Sequence, residues 1–138
     1  MPRIKLDSID QNILTALQEN ARLSNVDLAR KVGLSPSPCL RRVRALEESG
    51  VIRRYATLVD QAAIGLPMSV FVSVSLERQI ETGLETFEAT IKDRPEVMEC
   101  YLMTGDADYL LRIVVADLAA YEIFLKEHLT RIPGVRSI

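Results

Sequence analysis

Two stretches of the chain carry side chains whose types and spacing can do chemistry. Arg41, Arg42 and Arg44 follow Ser35-Pro36-Ser37-Pro38, and Gly105-Asp106-Ala107-Asp108 sets two carboxylates two residues apart, between Thr104 and Tyr109. Guanidinium groups beside small residues suit DNA: the fork of an arginine matches the acceptor pair on a guanine edge, and its charge matches a phosphate. The acidic turn has three possible uses. Its carboxylates can receive a cationic group while its backbone N–H groups take an anionic one, as in binding a small ligand. One of them can act as a general base, or the pair can share a cation, although no further oxygen ligands stand at suitable spacing. The plain alternative is that Gly and Asp are simply good turn residues.

Much other chemistry is disfavoured by what the chain lacks. A single histidine (His128), no tryptophan, six scattered glycines, and two cysteines (Cys39 and Cys100) without C-x-x-C spacing leave no material for a His-based triad, a zinc cluster or a glycine-rich phosphate loop. Both thiols read as buried side chains in a reducing compartment. His128 reads as an ordinary residue near a helix C-terminus, and Tyr101 and Tyr109 as sheet packing. No uncharged apolar run is long enough for a membrane helix and the N-terminus lacks a signal-peptide core, so a soluble, cytosolic protein is expected.

The elements that must position these groups divide by charge. Residues 1–55 hold ten Lys/Arg against six Asp/Glu, whereas residues 56–138 hold seven against thirteen, so the formal −2 conceals a basic half at +4 and an acidic one at −6. In the basic half Asp7 can cap a helix with Ile9, Ile13, Leu14 and Leu17 on one face, ending near Asn20. Ser24, with Asp27 completing a capping box, opens a short second helix with Leu28, Ala29 and Val32 apolar, and Gly33 terminates it. Ser35 caps a third helix whose prolines 36 and 38 fall in the first turn, where a missing N–H costs little, and Gly50 ends it. Three helices with a tight Gly turn between the last two form a helix-turn-helix pattern. Residues 51–59 are β-prone, as a wing or connecting strand would be. On the third helix Cys39, Leu40, Val43 and Leu46 make one apolar stripe. The opposite side presents Ser37, Arg41, Ala45 and Glu48, flanked by Arg42 and Arg44.

In the acidic half, strict alternation from Met68 puts Val70, Val72, Val74 and Leu76 on one side of a strand, and Ser69, Phe71, Ser73 and Ser75 on the other. Thr82 and Glu85 form a capping box opening a helix with Leu84, Phe87 and Ile91 inward, halted at Asp93-Arg94-Pro95. Residues 97–104 and 109–115 are strands joined by a short hairpin turn at Gly105–Asp108. Asp117 caps a last helix with Leu118, Tyr121, Leu125 and Leu129 inward, and Pro133-Gly134 turns the chain into a final strand. The order strand, helix, strand, strand, helix, strand is the ferredoxin-like βαββαβ arrangement. Only about four residues remain for the final strand, fewer than the usual five or six, which predicts a continuation beyond Ile138.

With these residues in place the sequence resembles the Lrp/AsnC family of transcription regulators over nearly its whole length. The resemblance is carried by Leu6-Asp7-x-x-Asp10-x-x-Ile13-Leu14, by Val32-Gly33-Leu34-Ser35-Pro36-Ser37-Pro38-Cys39-Leu40-Arg41-Arg42-Val43, and by Glu99 to Leu111 around Thr104-Gly105-Asp106-Ala107-Asp108-Tyr109. It implies an α+β protein: a winged helix-turn-helix domain (1–50), a hinge strand and linker (51–67), and a ferredoxin-like RAM-type domain (68–138) that builds dimers and often octamers. It also implies a small effector, usually an amino acid, bound near Gly105–Tyr109. The family's final strand normally continues past the position of Ile138, and the residue at Ala107 is often larger.

The expected partners are therefore double-stranded DNA, an amino-acid effector and further copies of the chain, with no membrane, metal or other cofactor and no catalysis. Ser35, Ser37, Pro38, Arg41, Arg42, Arg44 and Arg54 are the expected DNA contacts, with Arg41 on a base edge and Arg42 or Arg44 on phosphate. Thr104, Gly105, Asp106, Asp108 and Tyr109 are the expected effector contacts. A two-fold mate is expected on the sheet face that the helices leave open, formed from Val70, Val72, Val74, Tyr109, Leu111 and Ile113 or their alternates. Two rival readings remain. One is an architectural DNA-binding protein without effector. The other is a small ferredoxin-like enzyme using Asp106 or Asp108 as base, which leaves the basic helix unexplained.

Overall fold

The structure, a computed structural model, describes residues 4–78 and 80–138. The chain forms two compact units, Met1–Leu58 and Val59–Ile138.

In the first unit α1 spans Ser8–Glu19, α2 Asn25–Val32 and α3 Pro36–Glu48. Each start has a local chemical cause. Asp7 and Asp10 close a reciprocal capping box on α1, each carboxylate accepting the other residue's backbone N–H at 2.8 and 3.3 Å. Ser24 Oγ accepts the Asp27 N–H at 3.1 Å at the start of α2, but Asp27 does not return the bond, so the expected second half of that box is absent. Gly33 ends α2 in the left-handed region (φ 74°), and the Leu34 N–H closes back on Ala29 C=O at 2.9 Å. This hydrogen-bonded step turns the chain into α3 within a few residues. Ser35 is the N-cap of α3, yet its side chain makes no capping hydrogen bond; Pro36 at the first position needs none. Ile13, Ala16, Leu28, Ala29, Cys39 and Leu46 are buried together, with Ile9, Leu14, Leu17, Val32, Val43 and Ile52 packed around them.

The β-prone run 51–59 pairs with no strand among the described residues. Residues 51–52 bend and the rest takes no regular structure, with Leu58 94% exposed. Side-chain propensity alone does not make a strand, because the ladder needs a partner to satisfy its backbone. No wing is formed. The expected linker also contains a turn: Asp60 Oδ1 accepts the Ala63 N–H at 2.8 Å, and Gly65 (φ 82°) closes it.

The second unit is a four-stranded antiparallel sheet in the order β2-β3-β1-β4, built from β1 (Met68–Leu76), β2 (Val97–Leu102), β3 (Tyr109–Val115) and β4 (Val135–Ser137). With α4 (Glu81–Lys92) and α5 (Leu118–Phe124) between strands, this is the expected βαββαβ order, and the last strand does lie beside the first. Val72, Val74, Tyr109, Leu111 and Ile113 all face the helices, in one core with Phe87, Ile91, Phe124, Leu129 and Ile132. The open face is therefore the alternate set: Phe71, 64% exposed, and Tyr101 lie on it with Leu110, around an ion pair from Arg112 Nε to Glu99 Oε2 at 3.1 Å.

Three local expectations fail. Thr82 caps nothing: α4 begins one residue earlier, Ile80 occupies the cap with extended backbone, and the Thr82 carbonyl instead accepts the Thr86 hydroxyl at 2.8 Å. Leu118 is exposed and Phe124 takes its place in the core. Phe124 and Leu129 are five residues apart, too far round an α-helix to share a face. The chain changes at Leu125–Leu129 to a π-turn, in which the Thr130 N–H reaches Leu125 C=O at 3.0 Å, and both side chains point inward. The β2–β3 connection is longer than a tight hairpin, because β2 ends at Leu102 instead of running to residue 104.

Candidate nucleic-acid interface and ligand turn

The rotation of α3 is set by its apolar stripe, with Cys39 and Leu46 fully buried, and so Ser37, Arg41, Arg44, Ala45 and Glu48 are exposed on the other side. Ser35 is exposed just ahead of them and Pro38 is half-buried. The structure thus brings Ser37, Arg41 and Arg44 onto one accessible face. Arg54 is exposed elsewhere, lining a shallow groove with Leu14, Leu17 and Tyr55 beside α1.

Arg42 is tied to other residues of its unit. Its Nη1 donates to Asp7 Oδ2 at 2.6 Å and to Asp10 Oδ1 at 3.0 Å, with its side chain only 32% exposed. Through Nη1 the guanidinium is engaged by the capping box of α1. The Asp10 backbone N–H, followed by Arg42, holds the Asp7 carboxyl below the usual carboxylate range. The sequence contained the signal for this pair, since an Asp-x-x-Asp box displays two carboxylates on one turn, but only folding could bring a residue 32 positions away against them.

The acidic turn also divides its residues. Gly105 takes φ 114°, and a Cβ there would meet nothing within 4 Å, so the requirement for glycine is conformational rather than steric. Thr104, Gly105 and Asp106 are exposed. Asp108, 5% exposed, points inward: its Oδ2 accepts the Leu76 N–H at 2.6 Å and its own N–H donates to Val74 C=O at 2.9 Å, which ties the turn to the end of β1. Tyr109 is buried as well. Its ring stacks on Phe87 at 4.6 Å and its hydroxyl donates to Glu88 Oε1 at 2.6 Å. Burial, then the bond to Glu88, raise its pKa well above that of an ordinary tyrosine. A shallow pocket of about 450 Å³ opens between Leu84, Leu102, Met103, Thr104, Gly105 and Asp108. Its three apolar side chains were missed in the sequence, because Leu84 reads as core and Met103 as strand. No group of three or more His, Cys, Asp and Glu suited to hold a metal ion occurs among the described residues.

An exposed basic helix after a helix-turn-helix step, followed by a ferredoxin-like domain with a small polar and apolar pocket, defines a DNA-binding regulator with a ligand-binding domain. Residues 6–53 match the family model of a winged helix-turn-helix DNA-binding domain, and residues 69–138 match that of the Lrp/AsnC ligand binding domain. The chain is a member of the Lrp/AsnC family of transcription regulators. It is 57% identical to the Bkd operon transcriptional regulator of Pseudomonas aeruginosa over 97% of this chain and 88% of that one. It is 46% identical to the leucine-responsive regulatory protein of Salmonella typhimurium over 97% and 82%. Among solved structures, a transcriptional regulator of Neisseria meningitidis in complex with L-methionine superposes with a TM-score of 0.90 at 41% identity, covering 96% of this chain and 86% of that one.

Proposed function

We propose that this regulator acts in the cytoplasm as a homo-oligomer, reads an operator through Ser37, Arg41 and Arg44, and answers to an amino acid with an aliphatic side chain. It carries out no catalysis. The observation that carries the ligand class is the pocket at the turn: Leu84, Leu102 and Met103 offer an apolar wall, while Thr104 and the open backbone at Gly105 offer polar contacts to the ligand's ammonium and carboxylate. The L-methionine complex of the Neisseria relative supports this class. Asp108, which lines the pocket, brings a carboxylate to it, while Asp106 is exposed on the same turn outside that lining, and Tyr109, bonded to Glu88, supports the turn from within.

A thermal-shift screen of the twenty amino acids tests the reading, because a ligand that binds only the folded state raises its stability, by about 2.7 kcal/mol at a hundred times Kd. Leucine, methionine or a similar side chain should shift the midpoint, and Asp108→Ala, at the carboxylate that lines the pocket, should abolish the shift. Absence of any shift, with unchanged DNA binding, favours the architectural reading. The open sheet face with Phe71 and Tyr101 supports self-association. Sedimentation at micromolar concentration should show a dimer or larger species, which Phe71→Glu should dissociate.

A further inference from the structure

We infer that Arg42 is a positioning residue for DNA recognition: together with Asp7 and Asp10 it forms a clamp that fixes the pose of α3 against the start of α1. This rests on the reading that α3 is the helix that meets DNA. A recognition helix discriminates sequences only if its side chains reach base edges in one orientation, because bidentate hydrogen bonds tolerate little displacement. In this unit α3 is held by its buried stripe and by polar contacts from each of the other two helices. Asn25 Nδ2, at the first residue of α2, donates to Pro36 C=O at 2.8 Å and pins the first turn of α3. Arg42, one position from Arg41, reaches two carboxylates at the start of α1. The stripe sets how α3 is rotated, while these tethers also resist its sliding and tilting. Arg42 sits where any tilt of α3 moves Arg41 directly. Asp10 is the more enclosed of its partners, with its side chain 13% exposed, so the pair is sheltered from full solvent screening.

The clamp and a phosphate contact predict opposite signs for one experiment on the full chain. Asp7→Asn/Asp10→Asn keeps acceptors for both capping bonds, since asparagine caps as well as aspartate, but removes the charges that hold Arg42. The probes are the duplex that the parent enriches from a random library and a random-sequence duplex of the same length. The clamp predicts a loss of roughly threefold or more on the enriched duplex, in the range of couplings between contacting residues, with less than twofold on the random one. Arg42→Gln should reproduce that loss with an unchanged slope of log affinity against log salt, Arg42→Lys should restore part of it, and combining Arg42→Gln with the two asparagines should add nothing further. A phosphate contact would instead reduce the slope by about 0.9 in Arg42→Gln. Affinity that is unchanged or raised by the asparagines, or a reduced slope in Arg42→Gln, overturns the clamp. Arg41→Ala separates the levels: if it flattens discrimination while the Arg42 variants do not, only the clamp is wrong, and if it too leaves discrimination intact, α3 is not the reader and the clamp falls with it. Circular dichroism of each variant at the assay temperature excludes simple unfolding as the cause.

Discussion

The two candidate sites are built in different ways. On α3 the functional face is the back of a regular helix, so once Cys39 and Leu46 are buried the exposure of Ser37, Arg41 and Arg44 follows from the period alone. At the ligand turn, neighbours of the same type meet opposite fates: Asp106 faces solvent, whereas Asp108 is buried on the Leu76 N–H. A helix averages its environment over a stripe. An irregular turn lets each residue be placed by a single hydrogen bond, so its residues cannot be assigned by pattern.

The largest expected effect tests how far the turn depends on the core beneath it. Phe87→Ala should cost roughly 3–5 kcal/mol in denaturant unfolding, and should also weaken amino-acid binding, because Tyr109 loses the ring on which it stacks. If stability falls and the ligand still binds at parental affinity, the turn is independent of its support. On the helix, Arg41→Ala should cost roughly 1–3 kcal/mol on the enriched duplex and flatten discrimination, while Arg44→Ala weakens all duplexes alike with a shallower salt dependence. Equal behaviour of the two would mean that the face is not divided between base and phosphate contacts.

Within the turn, Asp108→Ala leaves the buried Leu76 N–H without its acceptor and should cost roughly 1–3 kcal/mol, whereas Asp106→Ala should change stability by less than about 0.5 kcal/mol. Calorimetric unfolding of the two variants measures the contrast, and equal stabilities would erase it. Between the units, Ser24→Ala should cost about 0.5–2 kcal/mol, because its hydroxyl caps α2, while Thr82→Ala should be close to neutral, because its hydroxyl makes no cap on α4.

A further effect is expected at alkaline pH. The pKa of Tyr109 is raised in the fold, so its contribution is fully present below the unfolded value of about 10 and is lost as pH rises toward the folded value. Unfolding followed from pH 8 to 11 should show a loss of stability above about 10 that Tyr109→Phe reduces.

How much was legible follows the range of the interactions. Asp7, Ser24 and Asp117 announce helix starts because each caps a residue only three positions on, and the alternation from Met68 to Leu76 announces a strand with one buried face. Thr82 has the same signature and fails, because the preceding residues already adopt the cap geometry at Ile80. The inward and outward sets of the sheet could be separated in the sequence but not assigned to the helices, and the five-residue step from Phe124 to Leu129 shows no period that announces a π-turn.

By itself the sequence determined the order of elements, the division into a basic and an acidic half, the helix-turn-helix step and the rotation of α3, since all of these depend on nearest neighbours and on periodicity. Tertiary structure alone decided that Arg42 belongs to Asp7 and Asp10, that Asp108 and Tyr109 turn inward while Thr104, Gly105 and Asp106 stay open, and that Phe71 and Tyr101 lie on the uncovered face. The physical reason is that a charged or hydrogen-bonding side chain takes its role from its partner. For these residues the partner lies on another element, tens of positions away, and exists only once the chain has folded.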